Sequence, residues 1–323
     1  MIIAGDIGGT HTRMGAFSGG PASPKLDRWQ EFKSKEYASM EKIVEEFVSG
    51  VGNKPEAFCF GVAGPVVDGK AHPTNLTWEL DAARMTETLG ARVVLINDLE
   101  ANAYGVATLG KEDLATLQAG VERERGNAAV ISAGTGLGEA GLYWDGANHR
   151  PFASEGGHCT FAPRTDEEVA LLEFMRKKFP DHVSWERVLS GPGLHNIYEF
   201  LRDTGRAAEE PWLAEQLAGG DAAAEISENA VQGKSELCVK ALGMFVALYG
   251  AEAGNLALKM LSLAGVYVGG GIAPRILGKL KEGAFLDAFL GKGRMREVLE
   301  RMPVYVITND KTALQGAARR GML

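Results

Sequence analysis

The feature that most constrains this chain is a strand, glycine turn and strand that occurs twice. Residues 2–6 and 13–17 read as short strands joined through Gly8-Gly9-Thr10-His11-Thr12. Near the middle, Ala128-Ala129-Val130-Ile131-Ser132-Ala133 leads through Gly134-Thr135-Gly136-Leu137-Gly138 into a second strand at 140–144. The likeness to Ile3-Ala4-Gly5-Asp6-Ile7-Gly8-Gly9-Thr10 is short, but it reads as an internal repeat. Two such halves predict a duplicated fold with a cleft between them. Successive glycines after a strand let backbone N–H groups point one way with no Cβ in between, which makes an anion-binding nest. One such turn alone is an ordinary tight hairpin; two at equivalent places favour a polyphosphate held at both ends. There is no G-x-x-x-x-G-K-[ST], so this is not a Walker A loop. Nor is it a dinucleotide fingerprint, because each turn runs into a strand and not a helix.

Around these turns the pattern alternates. Ser39 opens a helix through residue 48, with Met40, Ile43, Val44, Phe47 and Val48 at helical spacing. A short strand over 58–62 is stopped by Gly64-Pro65; 81–89 reads as helix, 92–96 as strand, and Leu99 begins another helix. A third strand is expected around 28–32. The alternation predicts an α/β layer on a mixed sheet. Residues 150–300 are richer in helix, with long candidates over 166–179, 221–232 and 234–260. A third glycine cluster, Gly269-Gly270-Gly271, follows Ala264-Gly265-Val266-Tyr267-Val268, with a helix expected after Pro274. It suits either a flat ligand such as adenosine or a strand-to-helix turn needing positive φ. Asp6, just before the first nest, suits Mg²⁺ held directly or through water, or else a turn cap.

Composition removes other classes. A chain of 323 residues, 45% hydrophobic and 24% charged, fits a globular protein of about two domains. Its net charge of −8 is interspersed, and the densest basic stretch, Arg176-Lys177-Lys178, reads as a solvated helix face, so no nucleic-acid partner is expected. Cys59, Cys159 and Cys238 stand far apart, without zinc spacing, as reduced thiols do in the cytoplasm. The opening Met1-Ile2-Ile3-Ala4 is too short for a signal peptide, and no uninterrupted apolar run of about 18 residues predicts a membrane span.

The three glycine motifs resemble the phosphate and adenosine motifs of the actin/hexokinase/heat-shock ATPase superfamily. Four more stretches narrow the resemblance: Thr74-Asn75-Leu76-Thr77-Trp78, Ile96-Asn97-Asp98, Glu155-Gly156-Gly157-His158 and Glu186-Arg187-Val188-Leu189-Ser190-Gly191-Pro192-Gly193. In this order they look like the bacterial glucokinase family, in the branch without a zinc motif, from Gly5 to about Gly316. The zinc-loop branch would carry several cysteines after Glu155; here Cys159 stands alone, followed by Thr160-Phe161-Ala162-Pro163. Leu76 departs from the family, where histidine is common.

The resemblance implies an α/β, duplicated ribonuclease-H-like (actin/hexokinase-type) two-domain fold with a central cleft, one domain over 1–108 and 303–323, the other over 109–302. It implies ATP-dependent phosphorylation of D-glucose at the 6-hydroxyl, the first step of glycolysis, by a cytoplasmic homodimer. ATP would be held by Gly5, Asp6, Ile7, Gly8, Gly9 and Thr10, by Gly134, Thr135 and Gly136, and by Gly270 and Gly271. Mg²⁺ would sit at Asp6, held through water, and no zinc is expected. Glucose would be met by Asn75, Asn97, Asp98, Glu155, His158 and Glu186, with Asp98 as general base. Read without the family, Asp98 is a helix N-cap, Glu186 a paired helix residue and His158 a core histidine. Gly105 and Gly316, among small residues, resemble the two helices that cross at the superfamily's hinge. Other readings are a kinase for another hexose, a silent sugar sensor, or a chaperone-type ATPase; the donor is ATP or polyphosphate.

Overall fold

The computed structural model describes residues 1–73, 75–121 and 125–323, which form two compact units. The first comprises Met1–Asp113, Ala147–Ala153 and Asn309–Leu323; the second comprises Leu114–Gly146 and Ser154–Thr308. Each has its own mixed sheet.

In the first unit, β1 (Ile2–Ile7), β2 (His11–Gly20), β3 (Ser23–Lys33), β4 (Ala57–Val62) and β5 (Arg92–Asn97) adjoin in the order β3-β2-β1-β4-β5. β1 is antiparallel to β2 and parallel to β4, which is parallel to β5. The strand predicted around 28–32 is longer, because its hairpin partner β2 runs to Gly20 and pairs along its length. Side chains of β1 and β4 alternate between two faces, as strand geometry requires. Ile3, Ile7, Phe58 and Phe60 join one core with Met40, Ile43, Val44 and Phe47 of α1 (Met40–Ser49) and Met85 of α2 (Ala82–Leu89). Asp81 caps α2, accepting from the N–H groups of Ala83 and Arg84 at 3.0 and 3.2 Å.

On the other face, Ala4, Phe17, Cys59 and Ile96 pack with Ala101 of α3 (Asp98–Val106) and with Leu314, Ala317 and Ala318 of the last helix, Thr312–Met322. The two helices touch backbone to backbone. A Cβ on Gly316 would stand 1.8 Å from the Ala101 carbonyl oxygen, and one on Gly105 would stand 2.2 Å from that of Thr312. The small residues noted in sequence are there for this crossing.

In the second unit, β6 (Leu114–Gln118), β7 (Ala128–Ala133), β8 (Leu137–Trp144), β9 (Gly265–Gly269) and β10 (Val304–Ile307) adjoin in the order β8-β7-β9-β10-β6. β7 is antiparallel to β8 and parallel to β9, and β9 is parallel to β10. This repeats the pairing of β2, β1, β4 and β5. Helices α4 (Asp166–Lys178), α5 (Gly191–Asp203), α6 (Pro211–Ala218), α7 (Ala222–Val231), α8 (Glu236–Met260) and α9 (Ala284–Leu290) supply most of the remaining core. By length and a mean hydropathy of 1.4, α8 is apolar enough to cross a membrane, but 72% of that window is buried against its own unit, as in a core helix. Its Tyr249 hydroxyl accepts from the Ala133 N–H at 3.0 Å and donates to the Gly269 carbonyl at 3.1 Å. One side chain thereby fixes the ends of both strands that lead into glycine clusters.

Candidate active site

In the first unit the chemistry sits at the ends of parallel strands. Ile7, Val62 and Asn97 are in register across β1, β4 and β5, so the Gly8-Gly9-Thr10 turn and Asp98 leave one edge of the sheet. Gly8 N–H bonds to the His11 carbonyl at 3.0 Å, and the Ser34 hydroxyl donates to the Gly8 carbonyl at 2.8 Å. Asp6 is half-buried; burial raises its carboxyl above the ordinary range, and the charge of Arg13 opposes that. Arg13 lies across the hairpin from Asp6 and binds Glu31 through Nε at 2.9 Å.

The helix cap at this edge is Asn97, not Asp98. Asn97 is extended, and its Oδ1 accepts from the N–H groups of Leu99 at 2.8 Å and Glu100 at 3.3 Å. Its Nδ2 donates to the Gly64 carbonyl at 3.0 Å. Asp98 is the first residue of α3, and one of its oxygens accepts from the Leu99 N–H at 2.9 Å. The capping role considered for Asp98 therefore belongs mainly to its neighbour. Asn75 is exposed at φ 65°, a left-handed conformation that asparagine tolerates. Thr74, beside it, lies outside the described residues.

The second unit brings two of its glycine clusters together. Gly134 N–H bonds to the Gly136 carbonyl at 2.8 Å, and the Gly134 carbonyl accepts from Gly191 N–H, at the start of α5, at 2.7 Å. Gly270 has a φ of 82°, and a Cβ there would lie 2.2 Å from the Ala133 carbonyl oxygen. Only glycine meets both conditions. Beside these turns lies a cavity of 520 Å³ lined by Gly134, Thr135, His195, Asp221, Gly271 and Arg275, among others. Asp221 caps α7, accepting from Ala223 N–H at 3.1 Å. His195, Asp221 and Arg275 were not anticipated. They come from three separate segments, and no local pattern joins them.

Glu186 accepts from the Leu137 N–H at 3.0 Å, directly after the Gly134-Thr135-Gly136 turn. The segments carrying Glu155, His158 and Glu186 are zipped side by side: Trp185 N–H bonds to the Cys159 carbonyl at 2.9 Å and Phe161 N–H to that of Val183 at 2.9 Å. Glu155 and His158 are exposed, with Nε2 and Oε2 3.8 Å apart. A Cβ on Gly157 would stand 2.0 Å from the Leu137 carbonyl oxygen, and one on Gly156 would stand 2.0 Å from Glu139 Oε2. The two glycines therefore let the loop lie flat on β8 while Glu155 and His158 stand together.

Among the described residues, no group of three or more His, Cys, Asp or Glu is arranged to hold a metal ion. Asp6 nevertheless suits Mg²⁺, which needs only one or two carboxylates and completes its shell with phosphate and water.

The chain matches the glucokinase family model over residues 3–322. It is 42% identical over 334 residues to a glucokinase of Nostoc sp., covering 98% of each chain. It is 40% identical over 342 residues to a glucokinase of Synechocystis sp., covering 98% of this chain and 96% of that one. The structure resembles that of a glucokinase from an Antarctic psychrotroph, with a TM-score of 0.87 and 33% identity, covering 99% of this chain and 98% of the other. A ROK family glucokinase from Streptomyces griseus, solved with glucose and AMPPNP, shares the fold at 23% identity and a TM-score of 0.66, covering 99% and 98%. Motif order, strand register and full-length similarity agree: the chain belongs to the glucokinase family.

Proposed function

We propose that this protein is an ATP-dependent glucokinase that converts D-glucose and ATP to glucose 6-phosphate and ADP. The observation that carries the proposal is the register of Ile7, Val62 and Asn97. It sets a phosphate-type glycine turn and a carboxylate on the same edge of one sheet, two strand spacings or about 10 Å apart.

In this reading the adenosine occupies the cavity beside Gly134, Thr135, Gly270 and Gly271, and the phosphates meet Gly136 and the turn of Gly5, Ile7, Gly8, Gly9 and Thr10. Asp6 would hold Mg²⁺ through water, and the ion would supply neutralisation of the phosphate charge when bound with the nucleotide. Asn75, Asn97, Glu155, His158 and Glu186 hydrogen-bond the sugar hydroxyls. Carboxylates accept strongly, and an epimer that leaves one buried partner unpaired loses about 1–3 kcal/mol. Asp98 orients the 6-hydroxyl and takes its proton as the oxygen bonds to the γ-phosphorus and the bond to ADP breaks. Because phosphoryl transfer is largely dissociative, that alignment matters as much as proton removal.

The repeated pairing of the two sheets supports a duplicated ribonuclease-H-like origin of the actin/hexokinase type. Family resemblance supports the remaining particulars: a cytoplasmic homodimer at the first step of glycolysis, using Mg²⁺ and not zinc. A coupled assay with ATP and Mg²⁺ across glucose, mannose, fructose and N-acetylglucosamine tests the proposal. Glucose is expected to give the highest kcat/KM; a better substrate among the others would overturn the assignment.

A further inference from the structure

Beneath the 155–158 loop lies a pair of acids with no part in the scheme above. Glu139, on β8, is 1% exposed, and Glu252, on α8, is fully buried. The charge of Glu252 acts on Glu139. Glu252 has donors of its own: Asn255 Nδ2 at 2.7 Å and Lys259 Nζ at 3.3 Å. Glu139 Oε1 finds no donor among the described residues. Two acceptors facing each other out of water repel unless a proton stands between them.

The other side of Glu139 carries the loop. Its Oε2 occupies the space where a Cβ on Gly156 would be. Its carbonyl accepts from the Ser154 hydroxyl at 3.0 Å, and that oxygen accepts from the Gly156 N–H at 3.2 Å. Side chain and main chain of one residue therefore fix where the loop rests.

We propose that Glu139, backed by Glu252, is a positioning residue that seats the 155–158 loop and so sets the affinity for the sugar. The inference rests on the sugar-binding roles proposed for Glu155 and His158. Burial first, and the charge of Glu252 second, push Glu139 up to about 8, against the pull of Lys259. With a proton on Glu139 and the Lys259 ammonium on Glu252, Glu139 donates where it would otherwise repel. The other groups facing the cluster are Tyr249, Lys292, Arg164 and Glu168, with Cys159 just after the loop. Lys292, which donates to the Ala251 carbonyl at 2.8 Å and to Asn255, is brought down to about 8 by burial and then by the charge of Arg164. Raising the pH through about 8 thus places a second negative charge beside Glu252 and unseats the loop.

The test compares Glu139→Gln, which imitates the protonated carboxyl, with Glu139→Ala, which removes it. The readouts are kcat and the KM values for glucose and ATP between about pH 6 and pH 9.5, with folding checked by circular dichroism. In the wild type, the glucose KM is expected to rise on the alkaline side. Glu139→Gln should keep the neutral-pH value within about twofold and abolish that rise. Glu139→Ala should raise the glucose KM about tenfold, the worth of one buried hydrogen bond, leaving kcat and the ATP KM near wild type. A Gln variant as impaired as the Ala variant, an alkaline rise that persists in it, or an Ala variant with normal glucose KM would each overturn the proposal. Infrared spectroscopy separates this from the glucokinase assignment. A protonated-carboxyl carbonyl band near neutral pH, lost in Glu139→Gln, is expected whatever sugar is turned over, and its absence from the wild type sinks the proton-sharing pair.

Discussion

The two glycine turns leave equivalent strands and are built differently. In the first, Asp6 faces Gly61 on the parallel neighbour and Arg13 across the hairpin. In the second, the corresponding residue is Ser132, facing Gly269 and Gly138. The first turn closes on the pair Ile7 and Thr12; the second, one residue shorter, closes on Ala133 and Leu137. One is steadied by a side chain, Ser34 on the Gly8 carbonyl. The other is steadied by backbone, with Gly191 N–H on the Gly134 carbonyl and Ile272 N–H on the Ala133 carbonyl. One backbone frame thus serves two ends: the first keeps a carboxylate and its counter-charge, and the second trades charge for a cavity walled by helix starts. On this reading, chemistry belongs to the first turn's sheet and recognition to the second's.

The division is open to attack by substitution. If chemistry lies with the first sheet, Asp98→Asn should lower kcat by about 10²–10⁴ while glucose still binds. Because Asn97 already caps α3, thermal stability should hardly change. Near-normal turnover in a folded variant would remove Asp98 from the mechanism. In the second unit, Gly270→Ala forces both a left-handed alanine and a clash, and should cost about 1–3 kcal/mol in denaturant unfolding. Gly134→Ala meets nothing within 4 Å, so stability should hold while the ATP KM rises. Equal destabilisation by both would mean that the turns are structural only. Glu186→Gln should raise the glucose KM about tenfold with kcat little changed. A loss confined to kcat would move Glu186 from recognition to chemistry.

The smallest effect concerns Asp6. Burial raises its carboxyl in the folded state, so its contribution to stability is complete below the unfolded value and is lost as pH rises through the folded one. Asp6→Asn should therefore lessen the fall in Tm between acid and neutral pH. Parallel Tm curves for variant and wild type would show that Arg13 fully offsets the burial.

Features with a local cause were legible in the residues. The glycine hairpins were, as were the apolar spacing of α1 and the length of α8, because periodicity and turn chemistry act over a few positions. The crossing at Gly105 and Gly316 was legible as a run of small residues. What escaped depends on distant partners. Glu139 looks like any strand residue until Glu252 is placed beneath it, and the cavity needs His195, Asp221 and Arg275 to converge from separate segments. Asn97 took the cap weighed for Asp98 because α3 begins at Asp98, one residue before the Leu99 start read from the sequence. The helix expected after Pro274 amounts to Leu277–Leu280.

The packing of the last helix against α3 also sets a timetable for synthesis. Thr108 and Gln315, hydrogen-bonded at 3.4 Å, are 207 positions apart. At roughly 5–20 residues per second, a ribosome needs about 10–40 s to cover that interval. Through that time Ala4, Phe17, Cys59, Ile96 and Ala101 wait for Leu314, Ala317 and Ala318. Protease pulses on stalled nascent chains should find this unit cleavable until Thr312–Met322 has emerged; early resistance would show that it closes without that helix. The first unit's sheet is thus made long before the helix that completes its core.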